Sequence, residues 1–241
     1  DDGILTWDRI QHEVRPLGPH WAQTGCIEIE NTHNMAGGTV YPQDVIDDIC
    51  RNAHQRGIGV HMDGARIFNA SAACGRPVSE ICANVDTAMF CLSKALGAPV
   101  GSMLVGPKAL LDKGRLYRKR LGGGMRQAGI LAAAGLIALE EMPLRLHEDH
   151  DNARLLASRL AQLPGVTVFN PQPATNIVVF DIAATGGDSA GISAALKERG
   201  VLINGISATA MRAVTHYDVS RADCEIALDT LSEVIALCHS R

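Results

Sequence analysis

The hydrophobic and polar positions of this chain follow two periods, and their alternation predicts an α/β protein. Short apolar runs with period-two spacing indicate strands, and longer stretches with apolar residues three and four apart indicate amphipathic helices. Strands and helices alternate over the first two-thirds, as is typical of a parallel sheet covered by helices. We expect strands at 25–30, 58–62, 86–92 and 101–105, and helices at 6–15, 43–56, 65–71, 77–83, 107–119 and 125–142.

The pattern changes after Pro164 and Gly165. An amphipathic helix at 144–163 is followed by paired strands at 166–169 and 176–182, a helix at 188–199, and strands at 200–204 and 211–216. A closing helix follows Ser220, an expected N-cap with Asp223 three residues on. We therefore predict a large parallel-sheet domain over 1–143 and a small C-terminal α+β domain over 144–241.

Composition favours a soluble globular enzyme: 46% of the 241 residues are hydrophobic and 20% are charged. The formal net charge of −4 gives no electrostatic reason for nucleic acid or an anionic membrane as partner. No apolar run reaches the roughly 18 residues that a transmembrane helix requires. We expect a small-molecule substrate instead.

The seven cysteines lack the Cys-x-x-Cys spacing of many zinc sites. Free thiols in a reducing compartment are the simplest reading, which predicts a cytoplasmic protein. His61 and Asp63 stand two apart, on one face of a predicted strand, and could form a metal pair. No further ligand stands at a recognisable spacing, so we expect no metal.

Two chemically useful side chains follow predicted strands. Asp63 ends the run GVHMD, where it either contributes to a ligand site at the carboxyl edge of the sheet or caps the next helix. Lys94 precedes a turn of small residues. It is either a surface lysine or an amine in a tight site, where desolvation lowers its pKa as a Schiff-base lysine requires.

Arginines usually lie on solvated faces, so Arg66 and Arg126 are weak signals by themselves. Arg212 stands inside the apolar run MRAVTH, where a guanidinium could bind a carboxylate through two hydrogen bonds. No G-x-G-x-x-G follows a strand, and Walker and G-x-S-x-G patterns are absent. This argues against dinucleotide-binding, P-loop and α/β-hydrolase sites.

Taken together, these residues resemble the threonine aldolase family, which are lyases dependent on pyridoxal 5′-phosphate (PLP) with the fold type I, aspartate-aminotransferase architecture. The likeness covers essentially the whole chain. The matching stretches are ENTHNMAGGTVYP (30–42), HMDGARIFNA (61–70), LSKALGAPVGSMLVG (92–106), LGGGMRQAGILAAAG (121–135) and RAVTHYDVS (212–220).

The resemblance implies a role in cofactor binding for four residues, Lys94, Ser93, Asp63 and Arg66. Lys94 would form the Schiff base with PLP, next to Ser93. Asp63 would pair with the pyridine nitrogen and keep it protonated, so that the ring accepts electrons when a bond to Cα breaks.

The resemblance also implies how the substrate, a β-hydroxy-α-amino acid, is bound and cleaved. Arg66 and Arg212 would bind its carboxylate, Arg66 also near the cofactor, and His33 would lie by the β-hydroxyl as a candidate base. The implied reaction is retro-aldol cleavage of L-threonine or L-allo-threonine to glycine and acetaldehyde. Family members assemble as dimers or tetramers, so a homo-oligomer, including a homotetramer, is expected.

Two alternatives stay open. Family members carry further residues before the segment that begins here, including a glycine-containing loop that binds the PLP phosphate, and residues 1–24 do not replace it. We therefore expect an N-terminally incomplete fold with an open sheet edge, and an inactive fragment or interaction remnant is one alternative. The other is a different PLP-dependent β-eliminating lyase that uses the same residues.

Overall fold

The computed structural model describes residues 3–239, and this part of the chain forms two compact units. Unit 1 comprises residues 3–33 and 40–144, and unit 2 comprises 34–39 and 145–239. The domains 1–143 and 144–241 stay a prediction, and their ends at residues 1, 2, 240 and 241 lie outside the described residues. No sequence pattern indicates that 34–39 belongs with unit 2.

Unit 1 contains a mixed four-stranded sheet. Its strands, in spatial order, are β1 (Cys26–Glu30), β2 (Gly59–Asp63), β3 (Thr87–Cys91) and β4 (Ser102–Val105). The first three are parallel, and β4 is antiparallel to β3. The expectation of a parallel sheet is therefore wrong for β4. Residues 92–101 form no helical crossover, and a parallel neighbour needs a connection of about a dozen residues or more.

The helices of unit 1 surround this sheet in chain order. They are α1 (Trp7–Ile10), α2 (Gln43–Gln55), α3 (Ile67–Cys74), α4 (Val78–Ile81), α5 (Lys108–Arg120) and α6 (Gly129–Glu140). The apolar stripe of α2 is fully buried at Ile46, Ile49 and Ala53, in one cluster with the buried side chains of β1 and β2. Beyond α2, Gly57 has a φ of +70°, which suits its expected C-terminal capping position.

Three predicted helices of unit 1 are shorter than expected, and the one predicted over 77–83 forms only α4. The helix predicted over 6–15 covers only α1, and the residue before Pro16 is sterically disfavoured in helical conformation. The helix predicted over 125–142 is reduced to α6, because Gln127 has a φ of +48° and cannot continue a right-handed helix.

Unit 2 is an antiparallel sheet covered by helices. Its strands, in spatial order, are β5 (Thr167–Val168), β6 (Ile177–Asp181), β8 (Ala210–Val214) and β7 (Asn204–Gly205). The helices are α7 (Leu146–Leu160), α8 (Ser189–Glu198) and α9 (Arg221–His239). Their apolar faces share one core with β6 and β8, centred on side chains such as Phe180 and Met211.

The start of α9 and the end of α8 test two of the expectations from the sequence. The Ser220 hydroxyl donates to Asp223 Oδ2 over 2.6 Å and accepts from the Asp223 amide over 3.2 Å, which confirms the expected N-cap of α9. The strand predicted over 200–204 is wrong for 200–203. There Gly200 has a φ of +82° and the Val201 amide donates to Leu196 O, so these residues terminate α8.

Within residues 3–239, no helix combines the length and apolarity needed to cross a membrane.

The seven cysteines are free thiols, and burial raises the pKa of Cys50 and Cys224 to about 11. A raised pKa keeps both as inert thiols of the core.

His150 on α7 predicts how stability depends on pH. Its side chain is 3% exposed, and burial, followed by the neighbouring Arg154, lowers its pKa from 6.5 to about 4, against the opposing effect of Asp151. The unfolded chain therefore binds this proton more tightly than the folded chain. The free energy of unfolding should fall as the pH drops from about 6.5 towards 4, by at most about 2 kcal/mol between about pH 7.5 and 5.

Urea unfolding at these two pH values checks this expectation. His150→Gln should reduce the difference between the two pH values, whereas His20→Gln, at an exposed histidine of unit 1, should leave it as in the wild type. An unchanged difference in His150→Gln would show that other groups cause it.

Candidate active site at the carboxyl ends of the strands

Asp63 is placed by the alternation of β2. Val60 and Met62 are buried in the core, so His61 and Asp63 point to the opposite face, where both are half-buried. One carboxylate oxygen of Asp63, Oδ1, accepts the Ala65 amide over 2.9 Å. Helix α3 has Arg66 as its N-cap residue, so Asp63 closes the turn before the helix and the alternative reading as its cap is wrong.

Parallel pairing sets the position of Asp63 at the edge of the sheet. Glu30 on β1 and Met89 on β3 are its partners in register, and its backbone carbonyl accepts the Asn31 amide over 2.9 Å. The carboxyl ends of β1, β2 and β3 therefore meet at one edge, which is where ligand-binding groups collect in open α/β sheets.

Gly64 allows β2 to approach β3 closely at this edge. Its amide donates to Met89 O over 2.8 Å, and a Cβ at this position would lie 2.8 Å from the same oxygen and 3.0 Å from Ile67 Cβ. A side chain does not fit there. His61 and Thr87 make a second contact between the strands, with 2.8 Å between Nδ1 and Oγ1.

Lys94 lies in the turn that follows β3. The Gly97 amide donates to Lys94 O over 2.9 Å, and the flanking Ala95 and Leu96 are buried. The backbone of Lys94 is thereby fixed, while its side chain and that of Ser93 are exposed. The sequence left two interpretations of Lys94 open, a surface lysine and an amine in a tight site. Among the described residues, Lys94 lies at the surface of unit 1.

His33 and Asp63 line one cavity of about 430 Å³ in unit 1. His33 Nε2 lies 3.7 Å from the Glu30 carboxylate, which lines the same cavity. Lys94, Ser93 and Arg66 are not part of this lining, as far as residues 3–239 show. The other residues that line it are Gly3, Ile4, Leu5, Arg9, Glu28, Ile29 and Tyr41.

The two candidate carboxylate-binding arginines belong to different units. Arg66 is half-buried at the start of α3 in unit 1. Arg212 lies on β8 of unit 2, where its Nη1 donates to Asn34 Oδ1 over 2.9 Å.

Asn31 and Thr32 are buried polar residues that the sequence did not single out. Within the described residues, Asn31 Nδ2 and Thr32 Oγ1 have no hydrogen-bond partner, although buried polar groups are normally satisfied. Both directly follow β1, at the edge that carries Asp63. The sequence signal for these two residues was the polar stretch NTHN after a strand.

No cluster of potential metal ligands occurs in residues 3–239.

A sequence profile of the beta-eliminating lyase family matches residues 1–185. The chain belongs to this family. It is 41% identical over 220 residues to the low specificity L-threonine aldolase of Escherichia coli O157:H7, covering 91% of this chain and 63% of the relative. The chain thus spans less than two-thirds of that relative's length, and the resemblance to threonine aldolases is confirmed.

Solved structures show the same fold. The threonine aldolase of Leishmania major superposes with a TM-score of 0.75 at 19% identity, covering 97% of this chain and 68% of that one. A structure of serine palmitoyltransferase with a PLP internal aldimine gives 0.70 at 19% identity, covering 96% and 59%. The expected fold type I architecture is therefore confirmed.

Gly64→Ala should destabilise unit 1, because the new methyl group would push the ends of β2 and β3 apart. Overpacking of this kind costs about 1–3 kcal/mol in the free energy of unfolding, which urea denaturation measures. Gly59→Ala is the matched control on the same strand, since its Cβ would meet only ordinary contacts of 3.6 Å or more. Equal stability of the two variants would contradict the close approach at Gly64.

Proposed function

We propose that this chain carries the PLP-dependent lyase site of a threonine aldolase, which cleaves L-threonine or L-allo-threonine to glycine and acetaldehyde. The observation that carries the proposal is the position of Asp63, the last residue of β2, and Lys94, which follows β3. The two strands are parallel neighbours, so their carboxyl ends lie at the same edge of one sheet. The similarity to the low specificity L-threonine aldolase of E. coli and membership of the beta-eliminating lyase family support it.

The chemistry of the side chains at this edge fits PLP. An amine is needed to react with the aldehyde of PLP and a carboxylate to pair with its pyridine nitrogen, and Lys94 and Asp63 supply them. When bound, PLP supplies an electron-accepting ring that stabilises negative charge at the substrate Cα. Ser93, next to Lys94, is proposed as a further cofactor contact.

Asp63 is suited to hold a proton on a ring nitrogen. Its Oδ1 accepts one neutral backbone N–H, from Ala65, and the carboxylate makes no ion pair within the described residues. No cation of residues 3–239 is therefore paired with this negative charge. Half-burial strengthens its attraction for a cationic N–H, because water screens it less.

His33 is proposed to take the proton from the β-hydroxyl of the substrate, directly or through water. It lines the same cavity as Asp63, and its Nε2 lies 3.7 Å from the carboxylate of Glu30, which lines that cavity too. Arg66 and Arg212 are proposed to bind the substrate carboxylate, since a guanidinium offers paired N–H donors to that anion.

We further propose a homo-oligomer, a dimer or tetramer, in the cytoplasm. Large apolar side chains are exposed on β4, α5 and α6 of unit 1, including Leu104, Leu116, Ile130 and Ile137. Apolar area of this extent typically marks a protein–protein interface. The free cysteines support a reducing compartment.

A second candidate is a β-eliminating lyase that acts on another amino acid, which membership of the beta-eliminating lyase family favours. Aldehyde release from a panel of β-substituted amino acids separates the two candidates. A third, a non-catalytic interaction remnant, predicts no PLP retention but stable association with a full-length relative in sizing chromatography.

Lys94 should be the site of covalent PLP attachment. With saturating PLP the chain should show a visible absorption band, and borohydride should trap the cofactor on the peptide that contains Lys94. Lys94→Ala should lose both signals, whereas Lys108→Ala, which removes an exposed lysine of α5, should keep them. Labelling elsewhere, or no band in the wild type, would contradict the proposed cofactor site.

His33→Asn should slow the cleavage of L-allo-threonine by about 10²-fold or more, as the loss of a general base typically does. Binding of glycine, which lacks the β-hydroxyl, should stay close to the wild-type value. His12→Asn, at an exposed histidine, is the control. If glycine binding and cleavage weaken together, His33 supports binding and is not the base.

A further inference from the structure

The segment 34–39 is held firmly within unit 2 although it lies far from the rest of that unit in sequence. Asn170 Nδ2 donates to Gly37 O over 3.0 Å, and Thr175 Oγ1 donates to Gly38 O over 2.8 Å. Both glycines have a φ of +78°, and a Cβ on Gly38 would lie only 2.2 Å from Thr175 Oγ1. The segment therefore has one defined position, and it begins at Asn34.

Asn34 fixes the tip of the Arg212 side chain. The backbone of Arg212 is set by the sheet, where it pairs with Val179 of β6 and Asn204 of β7. Its Nη1 donates to Asn34 Oδ1 over 2.9 Å, a contact between residues 178 apart in the chain. A free arginine side chain loses rotamer entropy when a ligand orders it, and this hydrogen bond orders it before a ligand arrives.

The chemistry of this contact is selective. A guanidinium has five N–H donors, so one bond to Asn34 leaves donors for an anion. An amide oxygen is neutral and orients the cation without cancelling its charge. A carboxylate at position 34 would form an ion pair with Arg212 and compete with any anionic ligand.

We propose that Asn34 is a positioning residue that orients Arg212 to bind the carboxylate of the amino acid substrate. The inference rests on the proposed function, in which Arg212 binds that carboxylate. Asn34 acts through Arg212 and does not itself contact the reacting atoms.

The first measurement tests the contact and needs no cofactor. Phenylglyoxal labels arginines, and peptide mass spectrometry of the full chain gives the rate at Arg212. Asn34→Ala should label Arg212 several-fold faster than the wild type. Ser158→Ala is the control, because it changes an exposed side chain of α7 in the same unit and leaves the segment 34–39 and Arg212 untouched, so it should not change this rate. An unchanged rate in Asn34→Ala overturns the proposal.

The second measurement tests the role, with the PLP-loaded chain and glycine as probe. Asn34→Ala should weaken glycine binding and raise KM for L-allo-threonine about tenfold, the equivalent of one lost hydrogen bond to a charged group, with kcat within about twofold. Asn34→Asp should weaken binding further. Glycinamide, which lacks the carboxylate, should bind the wild type and Asn34→Ala equally.

A double-mutant cycle completes the test. In an Arg212→Ala background, Asn34→Ala should have no further effect on glycine affinity, because the group that it orients is gone. Additive effects, or equal losses for glycine and glycinamide, overturn the proposal. A wild-type chain that binds neither PLP nor glycine refutes the proposed function, and with it the carboxylate role, while the labelling result still reports on the Asn34–Arg212 contact.

Discussion

The close approach of β2 and β3 at Gly64 is the constraint on which the candidate site depends. The Gly64 amide and Met89 O are 2.8 Å apart, and no room remains for a Cβ. This contact fixes the chain immediately after Asp63 against the strand that leads to Lys94. The His61–Thr87 contact joins the same strands three residues before Gly64. A carboxylate and an amine from separate strands thus acquire defined backbone positions.

The turn that carries Lys94 is fixed by burial of its neighbours. Leu92, Ala95 and Leu96 are almost fully buried, and burial of a leucine side chain contributes about 1.5–3 kcal/mol. Lys94 itself is exposed. The small residues after it therefore have a structural reason: they let the chain turn back towards β4 while the lysine backbone is held and its side chain remains accessible.

The sequence predicted the strands and helices of this fold better than it predicted how they pair and pack. The alternation in GVHMD correctly placed His61 and Asp63 on one face of a strand, because a strand has a fixed period of two. It did not show that β4 is antiparallel. That direction follows from the lack of a crossover helix in 92–101, and no residue pattern marks such a lack. It also could not show that 34–39 joins unit 2, since that placement depends on Asn170 and Thr175, which are more than 130 residues away.

Asp63 and Arg212 differ from several other charged residues of the chain in the groups that hold them. Lys108, Arg145 and Arg199 form ion pairs with carboxylates, which neutralise their positive charge. Asp63 and Arg212 are instead held by neutral groups, a backbone amide and a side-chain amide. A ligand that bound an ion-paired residue would first have to displace its partner, which costs desolvation and lost attraction. Neutral hydrogen bonds orient Asp63 and Arg212 and leave each charge for a bound molecule of opposite sign, which is the arrangement that a cationic ring nitrogen and a substrate carboxylate require.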